Sequence, residues 1–456
     1  MTHSIPPRIS ELPSFSLPSY CTIELTHRIP LITVEHHEQQ LATVSVVSHY
    51  GAAYDTVWGE TNCMVHLLNK GTRHNGITYN AQDIAERIDS TGGSISLSCS
   101  FDSISIQLSI LPEFLSTGLD VLCEILQYPS FPADELERLR QQMLVEIEQA
   151  NNDPAYLASI AFTQGIFHNE PYGHPVIGTL TTLQLLNQDT CTTAYQRSIH
   201  PSCMFAVAAG NVCTERLKDE LNARLCFADA PIASPILPQT QQSAKPSPTV
   251  VLIEKAHAVQ TALRIGFRTI HRSHPDYIAL KFLNTILGGS FISRLNYKLR
   301  EEKGYTYGVH SIIDARKYAS VLTIQTHVSN DVVDCAVHDI LSEIERLRVE
   351  PVTDEELETT RHYMIGTFLL RTETPSQVAS LLSTLHLYGL SDTYYTEYID
   401  ELASITKERL FEVQQRHLLT DTIVIAASGN IELLESKLRN FGTIRIVDTH
   451  GTLLPS

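Results

Sequence analysis

The sequence predicts an α+β protein of two tandem, homologous domains, each an antiparallel-rich sheet packed with helices, and three observations carry that expectation. Residues recur at a fixed spacing: Leu136, Arg140, Met143, Pro154, Ala158 and Ser159 return as Leu357, Arg361, Met364, Pro375, Ala379 and Ser380, each 221 positions later. Gln196, Arg197, Gly210 and Asn211 return as Gln415, Arg416, Gly429 and Asn430, 219 positions later. A constant offset that slips by two is what a duplicated domain with a small loop change leaves behind. Between the copies, residues 228–249 hold five prolines and no aromatic residue, the composition of an extended linker. Finally, both halves mix strand-type and helix-type periodicity, which argues for helices packed on an antiparallel sheet. The expected organisation is a domain over 1–227, a linker over 228–249 and a second domain over 250–456.

Each element has its own local warrant. Leu41 to Val47 and Ser94 to Ile110 alternate in the strand manner. Asp134 to Ala150 reads as a helix opened by an Asp-x-x-Glu box at Asp134 and Glu137, and its counterpart opens at Thr353 with Glu356 three residues on. Phe205–Ala209 and Ile423–Ala427 are short apolar strands, each followed by Gly-Asn.

Composition narrows the function classes. With 33 basic and 51 acidic residues the net charge is −18, which argues against nucleic acid and anionic membrane surfaces as partners. No apolar run is long enough to span a bilayer. The N-terminus shows no basic region followed by an apolar core, so no signal peptide is expected. Nine cysteines are scattered without any C-x-x-C pair, the usage of reduced thiols in a cytoplasmic setting. There is no G-x-S-x-G elbow, P-loop or dinucleotide fingerprint. The cluster Glu35-His36-His37-Glu38 reads as a solvated edge, because adjacent side chains project apart.

The richest segment runs Gly59-Glu60-Thr61-Asn62-Cys63-Met64-Val65-His66-Leu67-Leu68-Asn69-Lys70-Gly71-Thr72. It resembles the zinc-site segment of the inverzincin metallopeptidases, the pitrilysin and mitochondrial-processing-peptidase family, which reads His-x-x-Glu-His and runs on into Lys-Gly-Thr. In that motif two His bind zinc and the Glu between them activates the metal-bound water. Here Asn62 stands for the first His and Val65 for the Glu, while His66 keeps the second His. Further segments carry the same resemblance: His49 to Asp55 before the motif, and Pro171-Tyr172-Gly173-His174-Pro175-Val176-Ile177-Gly178 after it. Altogether the likeness covers roughly residues 25–440, and it implies two related α+β domains joined by a linker, a metallopeptidase-like architecture. Gly92 to Ser100 is similar to the edge strand on which catalytic members bind peptide by strand addition.

The resemblance also identifies Glu146, in Val145-Glu146-Ile147 ahead of Asp153-Pro154, with the family's third zinc ligand. By helical periodicity Glu146 falls on the stripe of Leu139, Met143 and Ala150. His66 and Glu146 make only two ligands where catalytic zinc normally has three, and Val65 cannot take a proton from a bound water. No metal and no catalytic base are therefore expected in this chain. The second half is more intact: Gly288-Gly289-Ser290 through Arg300-Glu301-Glu302-Lys303-Gly304-Tyr305-Thr306-Tyr307-Gly308 is similar to the family segment whose Arg and Tyr reach across the closed chamber. Those positions are Arg300 and Tyr307, implied to hold the substrate's backbone carbonyl and to stabilise the tetrahedral intermediate.

A chain that lacks the zinc residues but keeps Arg300 and Tyr307 reads as the non-catalytic member of a heterodimer, completing in trans the site of a homologous, zinc-containing peptidase subunit that cleaves peptides. Two alternatives stay open: a purely structural subunit, like the respiratory-complex core proteins of the family, and a homodimer that binds peptide without hydrolysing it.

Overall fold

A computed structural model describes residues 18–227 and 248–454. Nearly all of the linker expected over 228–249 lies outside the described residues. At its end Thr249 already opens a strand.

Among the described residues, fourteen strands are formed. In the first half they are β1 (Cys21–Glu24), β2 (Pro30–Glu35), β3 (Ala42–Ser48), β4 (Gly71–His74), β5 (Ile77–Asn80), β6 (Ser94–Cys99), β7 (Ile104–Ile110) and β8 (Met204–Gly210). In the second half they are β9 (Thr249–Glu254), β10 (Gln260–Thr269), β11 (Val309–Ala315), β12 (Ser320–Ser329), β13 (Val424–Gly429) and β14 (Thr443–Val447). Six helices matter below: α1 (Glu60–Leu67), α2 (Ala133–Ala150), α3 (Pro154–Phe167), α4 (Tyr277–Asn284), α5 (Asp354–Leu369) and α6 (Pro375–Tyr388).

Two six-stranded sheets result, ordered β1-β2-β8-β3-β7-β6 and β11-β12-β10-β13-β9-β14, with β4-β5 a separate hairpin. Read in opposite directions the sheets match strand for strand over five positions. In each, a parallel pair (β2 with β8, β9 with β13) is followed by three antiparallel pairings (β8-β3-β7-β6, β13-β10-β12-β11). Only the sixth strand differs, β1 pairing antiparallel and β14 parallel. The duplication in the sequence is thus a duplication of topology.

The recurring residues do equivalent work. Arg140 and Arg361 each pair with a glutamate one turn back, Glu137 and Glu358. Each also donates to a carbonyl beyond its helix, on Leu186 and Ile405 respectively, and those two carbonyl residues are 219 apart. Arg197 and Arg416 each hold a buried aspartate, Asp55 and Asp276.

Local expectations fared unevenly. The Thr353–Glu356 capping box is formed, Thr353 Oγ1 accepting from the Glu356 amide at 3.1 Å and the Thr353 amide donating to Glu356 at 2.8 Å. The Asp134–Glu137 box is not formed. Helix α2 starts one residue earlier, with Pro132 at the cap position; proline has no side-chain acceptor to cap with, and Glu137 is engaged by Arg140. The stretch Ser94 to Ile110 is a hairpin rather than one strand, and β6 lies at the sheet edge. All nine cysteines are free thiols, and the Glu35–Glu38 cluster is exposed.

The halves are not side by side as independent units: they exchange helices. Helix α3, from the first half, lies on the second sheet, where Leu157, Ala161, Phe162 and Ile166 pack on Val251, Ile253, Val424 and Ala426. Its repeat equivalent α6 lies on the first sheet, placing Val378, Leu382 and Leu385 in one cluster with Ile32, Val34, Phe205 and Val207. Alternation along the strands makes both contacts available. In β8, Phe205, Val207 and Ala209 join the exchanged helix while Met204, Ala206 and Ala208 join their own half's core. Gly165 sits where α3 presses closest, for a Cβ there would lie 2.4 Å from Val424 Cγ1. Polar ties reinforce the junction: Tyr172 donates to Asp102 at 2.5 Å, and the Lys317 amide donates to the same carboxylate at 2.8 Å.

Candidate functional site

Helix α1 carries the degenerate segment, and its first turn is held from two sides. Gly59, at φ +92, starts the helix, and a Cβ on it would lie 2.6 Å from the Ile177 carbonyl; Gly178, at φ +87, abuts the Trp58 carbonyl in the same way. The segment before the helix and the Pro-Tyr-Gly segment therefore meet backbone to backbone, a closeness only glycine permits. Beneath them two buried carboxylates share one arginine. Asp55 accepts from the Gly59 amide at 2.9 Å and the Thr61 amide at 3.2 Å, Glu60 accepts from Thr56 at 2.8 Å, and Arg197 reaches Glu60 at 3.0 Å and Asp55 at 3.9 Å. Burial pushes the Asp55 carboxyl up to about 7, with the neighbouring Glu60 charge adding to the rise and Thr61, Gly59 and Arg197 opposing it.

On this frame Val65 is fully buried against the core, whereas Asn62 and His66 are half-buried on the other side of the helix. No hydrogen bond to the His66 ring is formed among the described residues. Burial lowers its basicity, as does Lys70, and Glu146 pulls the other way. The carboxylate of Glu146 is thus near enough to act on His66. It is exposed, however, rather than on the buried stripe expected from periodicity; the apolar line of α2 runs through Leu136, Met143 and Ile147. A zinc ion does not fit this donor set. Two groups of the right type are present, the third position is an amide, and the position of the water-activating base is a valine in the core.

Arg300 and Tyr307 lie in the second half and share one cavity of about 610 Å³. Arg300 is on a widened, π-type turn (Tyr297–Glu302), a local form that recurs at functional sites. Gly304, at φ +63, turns the chain out of it. Asn296 then fixes the geometry: its buried amide donates to the carbonyls of Ser290 (3.1 Å) and Val309 (2.8 Å) and accepts from the Val309 amide (3.2 Å). The loop at Ser290-Phe291 and the start of β11 are so clamped to the arginine's helix. The guanidinium of Arg300 stacks over Phe291 at 4.4 Å and, among the described residues, has only the adjacent Glu301, at 3.5 Å, as an ionic partner. Tyr307 is 93% exposed, so it is not a core tyrosine. With Phe291, which is 70% exposed and also lines the cavity, it leaves unusual aromatic surface there.

The structure therefore brings Arg300 and Tyr307 together, and puts Asn62, Val65, His66 and Glu146 in a separate place. None of those four lines the Arg300–Tyr307 cavity, although α3 of the first half contributes Ala155 and Ala158 to its wall. Sequence reasoning missed Arg264, His310 and His327 in the same cavity, and the Asp55–Glu60–Arg197 set. Arg264 had a visible signal, a lone charge inside the apolar strand Thr261 to Phe267.

Among the described residues, the one set of three or more potential metal ligands with converging atoms is His274, Asp276 and His417. Asp276 is already neutralised there by Arg409 and Arg416, each at 2.8 Å, and by His417 at 2.6 Å, so the cluster reads as an ion-pair knot at the start of α4. No helix among the described residues is long and apolar enough to cross a membrane.

Comparison with known proteins agrees with this geometry. A family model described as insulinase (peptidase family M16) matches residues 31–180, and one described as peptidase M16 inactive domain matches residues 186–364. The chain is 26% identical over 386 residues to a Bacillus subtilis protein named uncharacterized zinc protease YmxG, covering 84% of this chain and 92% of that one. It is 23% identical over 411 residues to a Helicobacter pylori protein named non-peptidase homolog YmxG, covering 88% and 92%. Among solved structures, a peptidase M16 inactive domain from Pseudomonas fluorescens matches with a TM-score of 0.81 at 22% identity, over 90% of this chain and 98% of that one. A protease from Helicobacter pylori matches with a TM-score of 0.83 at 17% identity, over 91% and 100%. Those two structural likenesses speak to the fold alone.

Proposed function

The chain belongs to the peptidase M16 family, and from that premise we propose that it is a non-catalytic subunit which pairs with a homologous, zinc-containing peptidase and presents Arg300 and Tyr307 to the peptide bound there. The observation that carries the reading is the contrast between its two sites. The position of the general base is Val65, sealed in the core, so no proton acceptor stands where the family's mechanism needs one. Arg300 and Tyr307, by contrast, stand together at an open cavity with their donors free of strong internal partners. A guanidinium offers fixed donors to a carbonyl, and a phenol can donate to the oxyanion that develops from it. Both act on the reacting bond only if another chain supplies the metal, since the sites of this chain stand apart.

Peptide hydrolysis by a full-motif relative from the same organism, measured with and without this chain, tests the proposal. The chain alone is expected to be inactive and to raise the partner's rate. Removing one transition-state donor costs on the order of 10²-fold in kcat, so Tyr307→Phe and Arg300→Ala should abolish most of the gain while still binding the partner. A partner rate indifferent to the chain, or equal activation by both variants, would sink the idea.

A further inference from the structure

The cavity that holds Arg300 and Tyr307 has a floor that neither residue explains. Arg264, Gln325 and His310 stand directly opposite one another on β10, β12 and β11, and His327 is one rung along on the same face. All four line the cavity, and none of their side chains makes a hydrogen bond or ion pair among the described residues. Among the described residues no aspartate or glutamate lines the cavity, in a chain whose net charge is −18. Burial holds the Arg264 guanidinium below its ordinary pKa, and the carboxylates of Asp153 and Asp314 act in the other direction without a hydrogen bond or ion pair to it.

The space itself follows from the exchanged helix. Over Gly266 of β10, helix α3 lays the ring of Phe162 onto the sheet, 3.0 Å from where a Cβ would be. One to two turns earlier it presents only Ala155 and Ala158, and the sheet face stays open over Arg264. An arginine half-buried on an interior strand with its donors unmatched is unfavourable without a counter-charge. Its planar fork suits a carboxylate bound through two parallel hydrogen bonds. A volume of about 610 Å³ accommodates a side chain with its flanking backbone.

We infer that this cavity is a carboxylate subsite: Arg264 receives an acidic group of a bound peptide, either an Asp or Glu side chain or a C-terminal carboxylate, while Arg300 and Tyr307 at the mouth hold the backbone. The inference rests on the proposed function only in taking the occupant to be a peptide. It selects acidic peptides against the sign of the chain as a whole.

Calorimetric titration of the full chain, with no partner present, decides it. Three N-acetylated alanine-rich peptides serve as probes: one with a single Glu and an amidated C-terminus, one without Glu but with a free C-terminal carboxylate, and a neutral one with Gln and an amide. A charge-assisted pair predicts that at least one acidic probe binds about tenfold or more tighter than the neutral one. Which of the two wins identifies the source of the carboxylate. Arg264→Gln is expected to erase the difference, Arg264→Lys to keep part of it, and Arg300→Ala to weaken all three probes alike. Equal binding of acidic and neutral probes, no binding of any, or discrimination that survives in Arg264→Gln overturns the subsite. If Arg264→Gln does not fold, as a lost thermal transition would show, the wild-type comparison and the Arg264→Lys series decide alone. Discrimination that persists when the partner's hydrolysis ignores this chain would remove the trans-completion reading and leave the subsite standing.

Discussion

Asp55 shows how much of the degenerate site is still under electrostatic tension. Its side chain has no exposed surface, and its carboxyl, pushed up chiefly by burial, titrates near 7 instead of 3.8. For an acid the sign follows directly. Between about pH 4 and about pH 7 the folded chain holds a proton that the unfolded chain has released, so this group's contribution is most favourable below that window and is lost as pH rises through it. Relative to Asp55→Asn, which keeps an acceptor but cannot ionise, the wild-type thermal midpoint should fall steadily from about pH 4 to about pH 8; parallel profiles would show that Asp55 is not strained. The residues that could be read in the sequence were those in linear motifs: Val65 and Asn62 announced a lost chemistry because the motif fixes each position. Arg264 stood out as a lone charge in an apolar strand, but its meeting with His310 and His327 was not legible, because they converge across three paired strands and no local spacing records a register. Asp55 and Arg197 were both visible within similar segments, but their pairing is a tertiary fact.

At the scale of elements, the repeat exposed the fold and concealed its main departure from two separate domains. Equal offsets from Pro154 to Pro375 and from Ala158 to Ala379 identified α3 and α6 as one element used twice, and the two helices have identical lengths, 14 residues each. What the offsets cannot say is which sheet each helix covers. An apolar helix face and an apolar strand face look the same in sequence whether they meet within one half or across two. The Asp134–Glu137 box failed for a similar reason, since the capping pattern competes with a proline at the cap position and an i,i+3 ion pair. Gly165 offers a sharp test of the crossed packing. Replacing glycine by alanine in a helix favours the helix by roughly 1 kcal/mol in isolation. Here the new Cβ meets Val424 and Val251 of the other half's sheet at 2.4 and 3.0 Å, and overpacking costs typically about 1–3 kcal/mol. Gly165→Ala should therefore lower the urea midpoint, and adding Val424→Ala should recover part of the loss. A stabilised single variant would show that α3 does not press on that sheet.

At the scale of the whole molecule neither half is complete, because each sheet has an apolar face covered by a helix of the other half. Without residues 250–456, the first sheet would bare Ile32, Val34, Phe205 and Val207, the face that α6 now covers. Without residues 1–227, the second would bare Val251, Ile253, Val424 and Ala426, the face under α3. Contiguous apolar faces of that kind drive association instead of folding. The Arg300–Tyr307 cavity shares the dependence, since Ala155 and Ala158 close its wall. Expressed separately, 1–227 and 250–456 should each lack a cooperative thermal transition and elute as aggregates. Expressed together, they should yield a one-to-one complex with a single transition. A soluble, cooperatively melting 250–456 would show that the exchange adds little, and that Arg300 and Tyr307 sit on an autonomous domain. The expected outcome makes the exchange a physical reason for a chain without the family's hydrolytic motif to retain its first half: Val65 and His66 do not reproduce that motif, yet helix α3, farther along the same half, contributes to the wall of the Arg300–Tyr307 cavity.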